Sequence, residues 1–462
     1  MQAKFRQFIE QHFSEMTRDL SALVSIPSVK GEPLPGKPFG EGPAKALETM
    51  LALAEKYGFH TQNHENYVGT IDLDPTLPTT LAVLCHLDVV PAGTGWKTPP
   101  FSMMTSGGKM YGRGVIDNKG PSIAVLYAMR AIRECKIPIT QNVRFIVGTD
   151  EENGSSDLAY YKKKEALPPR IFTPDAEYPL INIEKGMIRG AFKTSAESVG
   201  EKTILKASGG TVINAVPELA SAMVKGFKPS ELQPFAAKFP KLSFEFSKND
   251  DDTVNVLAKG TGAHASTPHL GNNAVAGLCE FLSLLDTDDE TSSAFERIAK
   301  SFAYGDGEGA TLGIDEKDEE SGILTAVFSI LDYSDGEIKG KFDCRFPVSD
   351  NLENIKAKFD TALKFRGITL TEINGVEPHK VDADTEFVET LLSVYREATG
   401  FLGAPIAVGG GTYVHEIDGG VAFGAEFPGE KNNMHGAGEC FSTLSFRKNT
   451  LIFAEAISRL CK

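Results

Sequence analysis

Apolar residues at three- and four-residue steps open the chain. Phe5, Ile9, Phe13, Met16, Leu20 and Leu23 line one side of a helix, which must stop before the Ile26-Pro27 pair because proline disfavours helical backbone in the preceding residue. A second stretch after Pro43 carries Leu47, Met50, Leu51 and Ala54 on one face and ends at Gly58, the place of a left-handed cap. The period then changes. TTLAVLCH (Thr79 to His86) is short and almost continuously apolar, which predicts a strand buried on both faces of a parallel sheet. Asp117-Asn-Lys-Gly-Pro121 leads into a helix bearing Ile123, Leu126, Tyr127 and Ala131, with Pro121 in its first turn. Val143 to Gly148 predicts another buried strand, running into Thr149-Asp-Glu-Glu152, and Ile171 to Thr173 a further short one. Such alternation specifies an α/β domain with a mainly parallel sheet.

Around Gly186 the pattern shifts to polar strands and charged loops, with isolated helical stretches at Val216 to Phe227 and Asn272 to Leu285. This reads as a separate α+β domain. Helical periodicity of the first kind returns at Thr385 to Tyr395 and closes the chain with Phe453, Ile457 and Leu460. The expected organisation is therefore one discontinuous domain, 1–184 with 383–462, interrupted by an insert over 185–382. A length of 462 residues, well beyond one hydrophobic core, agrees with that division.

Composition narrows the function classes. A net charge of −15 would repel phosphate backbones and anionic lipid heads, so neither nucleic acid nor membrane is an expected partner. There is no run of 18 apolar residues, and the opening helix lacks the apolar core of a signal peptide; a soluble, cytosolic protein is expected. Six cysteines without a C-x-x-C pair indicate neither a disulfide framework nor a thiolate zinc site.

The chemistry gathers at strand ends. His86-Leu-Asp88 closes one apolar strand, and Asp117, Glu151, Glu152, Asp175 and His435 each stand where an apolar segment gives way to a loop. In open parallel sheets that carboxyl edge is where ligands bind. Carboxylates crowded there would repel and raise one another's pKa unless cations neutralise them. Imidazoles mixed with oxygen donors suit zinc, manganese or cobalt better than calcium. The alternative is a row of solvated strand-end carboxylates.

CHLDVVPAG (Cys85 to Gly93), YGRGVIDNKGP (Tyr111 to Pro121), GTDEENGSSD (Gly148 to Asp157), FTPDAEYP (Phe172 to Pro179), GAHASTPHLGNNA (Gly262 to Ala274), GGGTY (Gly409 to Tyr413) and NNMHGAGE (Asn432 to Glu439) together resemble the M20 dinuclear metallopeptidases. That family includes aminoacylases, carnosinases, desuccinylases and PepV-type dipeptidases, and the last branch is the nearest in pattern. The resemblance implies a zinc-peptidase-like catalytic domain with an inserted lid, acting on small dipeptides as a cytoplasmic monomer with two divalent ions, zinc or else manganese or cobalt. It implies that His86 and Asp175 hold one ion, Glu152 and His435 the other, and Asp117 both, with a cis peptide before Asn118. Asp88 would orient His86, Glu151 would be the general base, and His264 of the lid would stabilise the carbonyl oxygen. Asn214 and Arg345 would grip the substrate carboxylate, with Gly410, Gly411 and Thr412 on the same side.

Two other readings stand beside this one. An aminoacylase or desuccinylase would use the same chemistry on N-acyl amino acids. A catalytically silent binding protein would have lost Glu151 or a ligand, and none is missing. Val414-His415 follows GGGTY where PepV-type chains often carry an arginine. Serine-hydrolase and P-loop signatures are absent.

Overall fold

A computed structural model describes all 462 residues. The chain forms two compact units: Met1–Asn182, Lys380–Ile406 and Gly411–Lys462 make the first, and Ile183–His379 with Ala407–Gly410 the second.

The first unit is built on a mixed sheet ordered His60–His64, Val68–Asp72, Asn142–Gly148, Thr79–His86, Arg170–Thr173, Gly420–Ala422 and Ile181–Glu184. Its centre is parallel, from Asn142–Gly148 across to Gly420–Ala422. Its flanks are antiparallel. The expected parallel sheet thus describes the centre, where both faces are covered and side chains from Leu81 to His86 are all buried. The helices Gln2–Val24, Lys119–Glu134 and Thr443–Leu460 pack on one another, and Lys119–Glu134 lies on the strand Thr79–His86. The first helix ends at Val24, as Pro27 requires, and Gly58 has φ +78°.

Parallel register is what assembles a site. His86 lies opposite Gly148, Val83 opposite Phe172 and Ala422 opposite Thr173, so the loops that follow all leave from one edge.

The second unit is an eight-stranded sheet, ordered Ser243–Lys248, Thr253–Lys259, Leu219–Lys225, Thr203–Gly209, Thr325–Ser334, Glu337–Phe346, Gly186–Ser195 and Thr369–Val376, with every neighbouring pair antiparallel. Phe192, Phe302, Phe328, Phe342 and Phe359 fill its core. The helix expected at Asn272 to Leu285 is present as Ala274–Ser283, capped by the Asn273 side chain accepting from the Ala276 amide. The helix expected at Val216 to Phe227 is instead the strand Leu219–Lys225. Ala220, Ala222 and Val224 are buried and alternate with exposed Leu219 and Ser221, a period of two. Good helix formers were overridden because strands on both sides complete the backbone hydrogen bonding.

Candidate metal centre

His86 ends its strand fully buried, and its Nδ1 lies 3.0 Å from the Asp88 carbonyl oxygen. A carbonyl only accepts, so Nδ1 carries the hydrogen and Nε2 of the neutral ring presents a lone pair. That lone pair faces carboxylates: Asp117 Oδ1 at 2.9 Å and Asp175 Oδ2 at 3.4 Å. Despite these short approaches, Nε2 makes no properly directed hydrogen bond. A lone pair aimed at two carboxylates is repulsive unless a proton or a metal cation lies between them.

The same relationship recurs on the other side of Asp117. Its Oδ2 is 2.7 Å from His435 Nε2, which is also 3.3 Å from Glu152 Oε1, itself buried without a hydrogen bond. The donor atoms of His86, Asp117 and Glu152 lie within 4.8 Å of one another, as do those of His86, Glu151 and Asp175. Four carboxylates and two imidazoles are therefore one cluster, a donor set that fits divalent zinc, manganese or cobalt. The sequence-predicted metal residues and Glu151 are all brought together.

Crowding shifts their proton affinities. Burial, with Asp175, Glu152 and Asp88 nearby, drives the Glu151 carboxyl well above its ordinary range although His86 opposes the rise. Burial and Asp117 push Glu152 up to about 7, and burial likewise raises Asp175. The hydrogen bonds with Asp117 and Glu152 lift His435 to about 11. Asp117 is depressed: burial alone would raise it, but the two imidazoles outweigh that.

Supporting residues lie around this cluster. The Asp88 carboxylate accepts the backbone N–H of Glu151 at 3.2 Å and of Glu152 at 3.1 Å, besides lying 3.4 Å from His86 Nδ1. It thus anchors the Glu151-Glu152 turn as well as the imidazole. Asn118 Nδ2 donates to Asp175 Oδ1 at 2.7 Å, and the Asp117–Asn118 peptide is cis. Asn433 and His435 have φ of 50° and 60°, left-handed backbone that is uncommon outside glycine and concentrates at functional sites.

Three further features were not legible as site residues. Asp157 accepts the Thr149 and Asp150 amides and the Tyr413 hydroxyl at 2.5, 2.9 and 2.5 Å, tying the GTDEENGSSD and GGGTY segments together. A side chain at Gly148 would put its Cβ 1.9 Å from that hydroxyl. Glu426, hydrogen-bonded by Asn432 at 2.6 Å, is pushed up to about 7 by burial and by Asp117 and other acidic neighbours. Arg113 and Glu439 form a buried ion pair. Only the positions of Asp157, Tyr413, Arg113 and Glu439 inside recognisable motifs could have pointed to them.

In the second unit, Ala215 pairs with His264 and the Ala265 amide donates to the Asn214 carbonyl at 2.9 Å, so Asn214 and His264 sit side by side. His264 Nδ1 accepts from the Ser266 amide at 3.2 Å and lies 2.7 Å from Ser266 Oγ. The hydrogen of the neutral ring is then on Nε2, which makes it a donor. Arg345 is buried, gives Nε and Nη2 to Asp343 at 2.6 and 2.9 Å and Nη1 to the Gly409 carbonyl at 2.7 Å. Its five N–H groups are thus only partly committed to these acceptors. Gly410 belongs to this unit, Gly411 and Thr412 to the first.

Residues 82–459 match the peptidase family M20/M25/M40. The chain belongs to this family. It is a metal-dependent peptidase, a hydrolase of peptide bonds. The Beta-Ala-Xaa dipeptidase of Lactobacillus delbrueckii subsp. lactis is 33% identical over 479 residues, covering 100% of this chain and 99% of that protein. Among solved structures, human carnosine dipeptidase 1 superposes with a TM-score of 0.59 at 16% identity, covering 100% of both chains. The Saccharomyces cerevisiae di-peptidase Dug1p superposes with a TM-score of 0.60 at 13% identity, covering 99% of this chain and 98% of its own. These two likenesses carry the α/β fold of the M20 peptidase, mixed sheet included.

Proposed function

We propose that this metal-dependent dipeptidase cleaves its substrate with a water activated at a pair of divalent ions, Glu151 acting as general base. The observation that carries the reading is the two-sided use of Asp117, one oxygen toward His86 and the other toward His435. His86 and Asp175 would hold one ion and Glu152 and His435 the other. Bound there, the ions would polarise the substrate carbonyl and make water acidic enough to deprotonate near neutral pH.

The chain's own groups do the rest. Glu151, close to His86 and Asp175 and raised by burial, can take the proton of the attacking water and return it to the departing amine. Asp88 keeps Glu151 in place through its amide. His264, with its donor nitrogen set by Ser266, would stabilise charge on the carbonyl oxygen. Arg345 and Asn214 would receive the substrate's terminal carboxylate, with Gly410, Gly411 and Thr412 beside it, which favours short substrates with a free C-terminus. Partial neutralisation by Asp343 tempers that grip.

The inserted unit, near 185–382, acts as a lid in this reading. The enzyme is a cytoplasmic monomer that uses zinc, or else manganese or cobalt. Six unpaired cysteines suit a reducing compartment. No helix is long and apolar enough to cross a membrane.

The test is metal content together with hydrolysis of a panel of dipeptides and N-acyl amino acids, after chelation and after return of zinc or manganese. Two ions per chain and metal-restored dipeptide cleavage are expected. Cleavage confined to N-acyl amino acids would keep the chemistry and change the substrate. Absence of stoichiometric metal and of any cleavage would overturn the proposal.

A further inference from the structure

The loops of the metal centre converge on an ion pair that is outside the ligand set. Arg113 and Glu439 are 1% and 0% exposed, and Arg113 Nη1 donates to Glu439 Oε2 at 2.6 Å. Taking two charges out of water is costly, and an apolar pair of equal volume would often stabilise a core as well. The directional bonds that the pair makes outward are something an apolar pair could not supply.

Glu439 Oε1 accepts the backbone N–H groups of Gly114 at 2.9 Å, Ile116 at 3.1 Å and Asp117 at 3.4 Å. One carboxylate oxygen therefore gathers the turn that ends at the shared ligand Asp117. The Glu439 carbonyl also accepts from the Gly112 amide at 3.1 Å. Arg113 Nη2 donates to the His435 carbonyl at 3.1 Å, and more loosely to those of Pro91 at 3.3 Å and Ala92 at 3.4 Å in the loop after His86 and Asp88. Trp96, the only tryptophan of the chain, has its ring centre 5.4 Å from the guanidinium carbon.

We infer that Arg113 and Glu439 are positioning residues for the metal centre, a clamp that sets the Asp117 backbone against the His435 backbone. The inference rests on the dinuclear reading above. It has an asymmetric consequence. The clamp grips Asp117 and His435 directly but touches neither the His86 imidazole nor Asp175. Loosening it weakens the ion held by His435 and Glu152 more than the ion held by His86 and Asp175.

The experiment is a zinc titration of metal-free wild type, Arg113→Lys and Glu439→Gln against a chromophoric chelator, with thermal melts of the metal-free forms alongside. Lysine keeps a buried cation but is a single point of charge that cannot serve Glu439 and the His435 carbonyl together. Glutamine keeps an acceptor for the amides but not the charge. The expected result is that each variant binds the ion of His435 and Glu152 about 10–100-fold more weakly and the other, which shares only Asp117 with the clamp, by clearly less. A kcat that recovers toward wild type at saturating zinc belongs with that result. Wild-type affinity at both sites, or equal weakening of both, in a variant that melts cooperatively would overturn the clamp. If one variant fails to fold, the other decides; if neither melts cooperatively, the pair serves the fold rather than the centre and the inference fails. A wild type that binds fewer than two ions counts against the dinuclear reading itself, whatever the variants do.

Discussion

Asp117 turns one carboxylate oxygen to His86 at 2.9 Å and the other to His435 at 2.7 Å, so a single side chain couples two halves of the centre. Asp117→Asn replaces one of those oxygens by an amide donor that cannot ligate. We expect metal content to fall from two ions toward one and activity to drop by more than the ~10–100-fold typical of losing an outer-shell partner. Elemental analysis of the dialysed variant checks the first outcome, and steady-state kinetics at saturating metal the second.

Glu151→Gln removes the proton acceptor and keeps the shape. A loss in kcat of about 10²–10⁴ with two ions still bound is expected for a general base. The variant also separates burial from catalysis. The raised Glu151 pKa stabilises the fold fully only below the ordinary carboxyl pKa, and that contribution is lost as pH rises through the elevated folded value. The metal-free variant should therefore melt above metal-free wild type at alkaline pH, and the gap should close in acid. A variant that melts lower at every pH would count against this account.

Metal affinity should rise with pH. Without metal, Glu152 at about 7 and His435 at about 11 hold protons near neutrality, and a ligand must surrender its proton to bind. Calorimetry in buffers of different ionisation enthalpy should show a net release of protons on metal binding at pH 7, to which His86, raised by its carboxylate neighbours, also contributes. The His435 contribution to stability is complete below the ordinary imidazole pKa and is lost as pH climbs through about 11. Chelated protein should thus melt progressively lower from neutral to strongly alkaline pH, a trend absent if His435 is unprotonated at neutrality.

Asp88→Ala leaves the Glu151 and Glu152 amides without their acceptor. Destabilisation of about 1–3 kcal/mol is expected from those orphaned donors, together with loss of activity as the Glu151-Glu152 turn moves. Urea denaturation of the metal-free variant reads the first effect apart from metal binding.

Gly148→Ala tests the link between Asp157 and Tyr413. The added Cβ would fall 1.9 Å from the tyrosine hydroxyl and 2.4 Å from Asp157 Oδ2, so strand end or side chains must shift. Overpacking of this kind costs about 1–3 kcal/mol. Thermal melts should show that loss, and hydrolysis should fall with it because Thr149 and Asp150 lead into the Glu151-Glu152 turn.

Much of this protein was legible one residue at a time. A short, almost continuously apolar run such as Thr79 to His86, followed by turn residues, reads as a strand covered on both faces, and Gly58 marks a helix end through chemistry local to the chain. The candidate metal residues stood out for a similar reason, strand-end position and side-chain type, while their division between two ions came from the resemblance to the M20 family. Tertiary structure decided whatever depended on a distant partner. Leu219–Lys225 is a strand because two other strands complete its hydrogen bonds, against the preference of its own residues. Asp88 proved to hold the Glu151 and Glu152 amides, 63 and 64 residues away, as well as the neighbouring imidazole. Arg113 and Glu439, 326 residues apart, became a clamp only when folding carried both out of water. Local pattern sets what a segment can be. Burial and directed hydrogen bonds between remote segments set where its functional groups point.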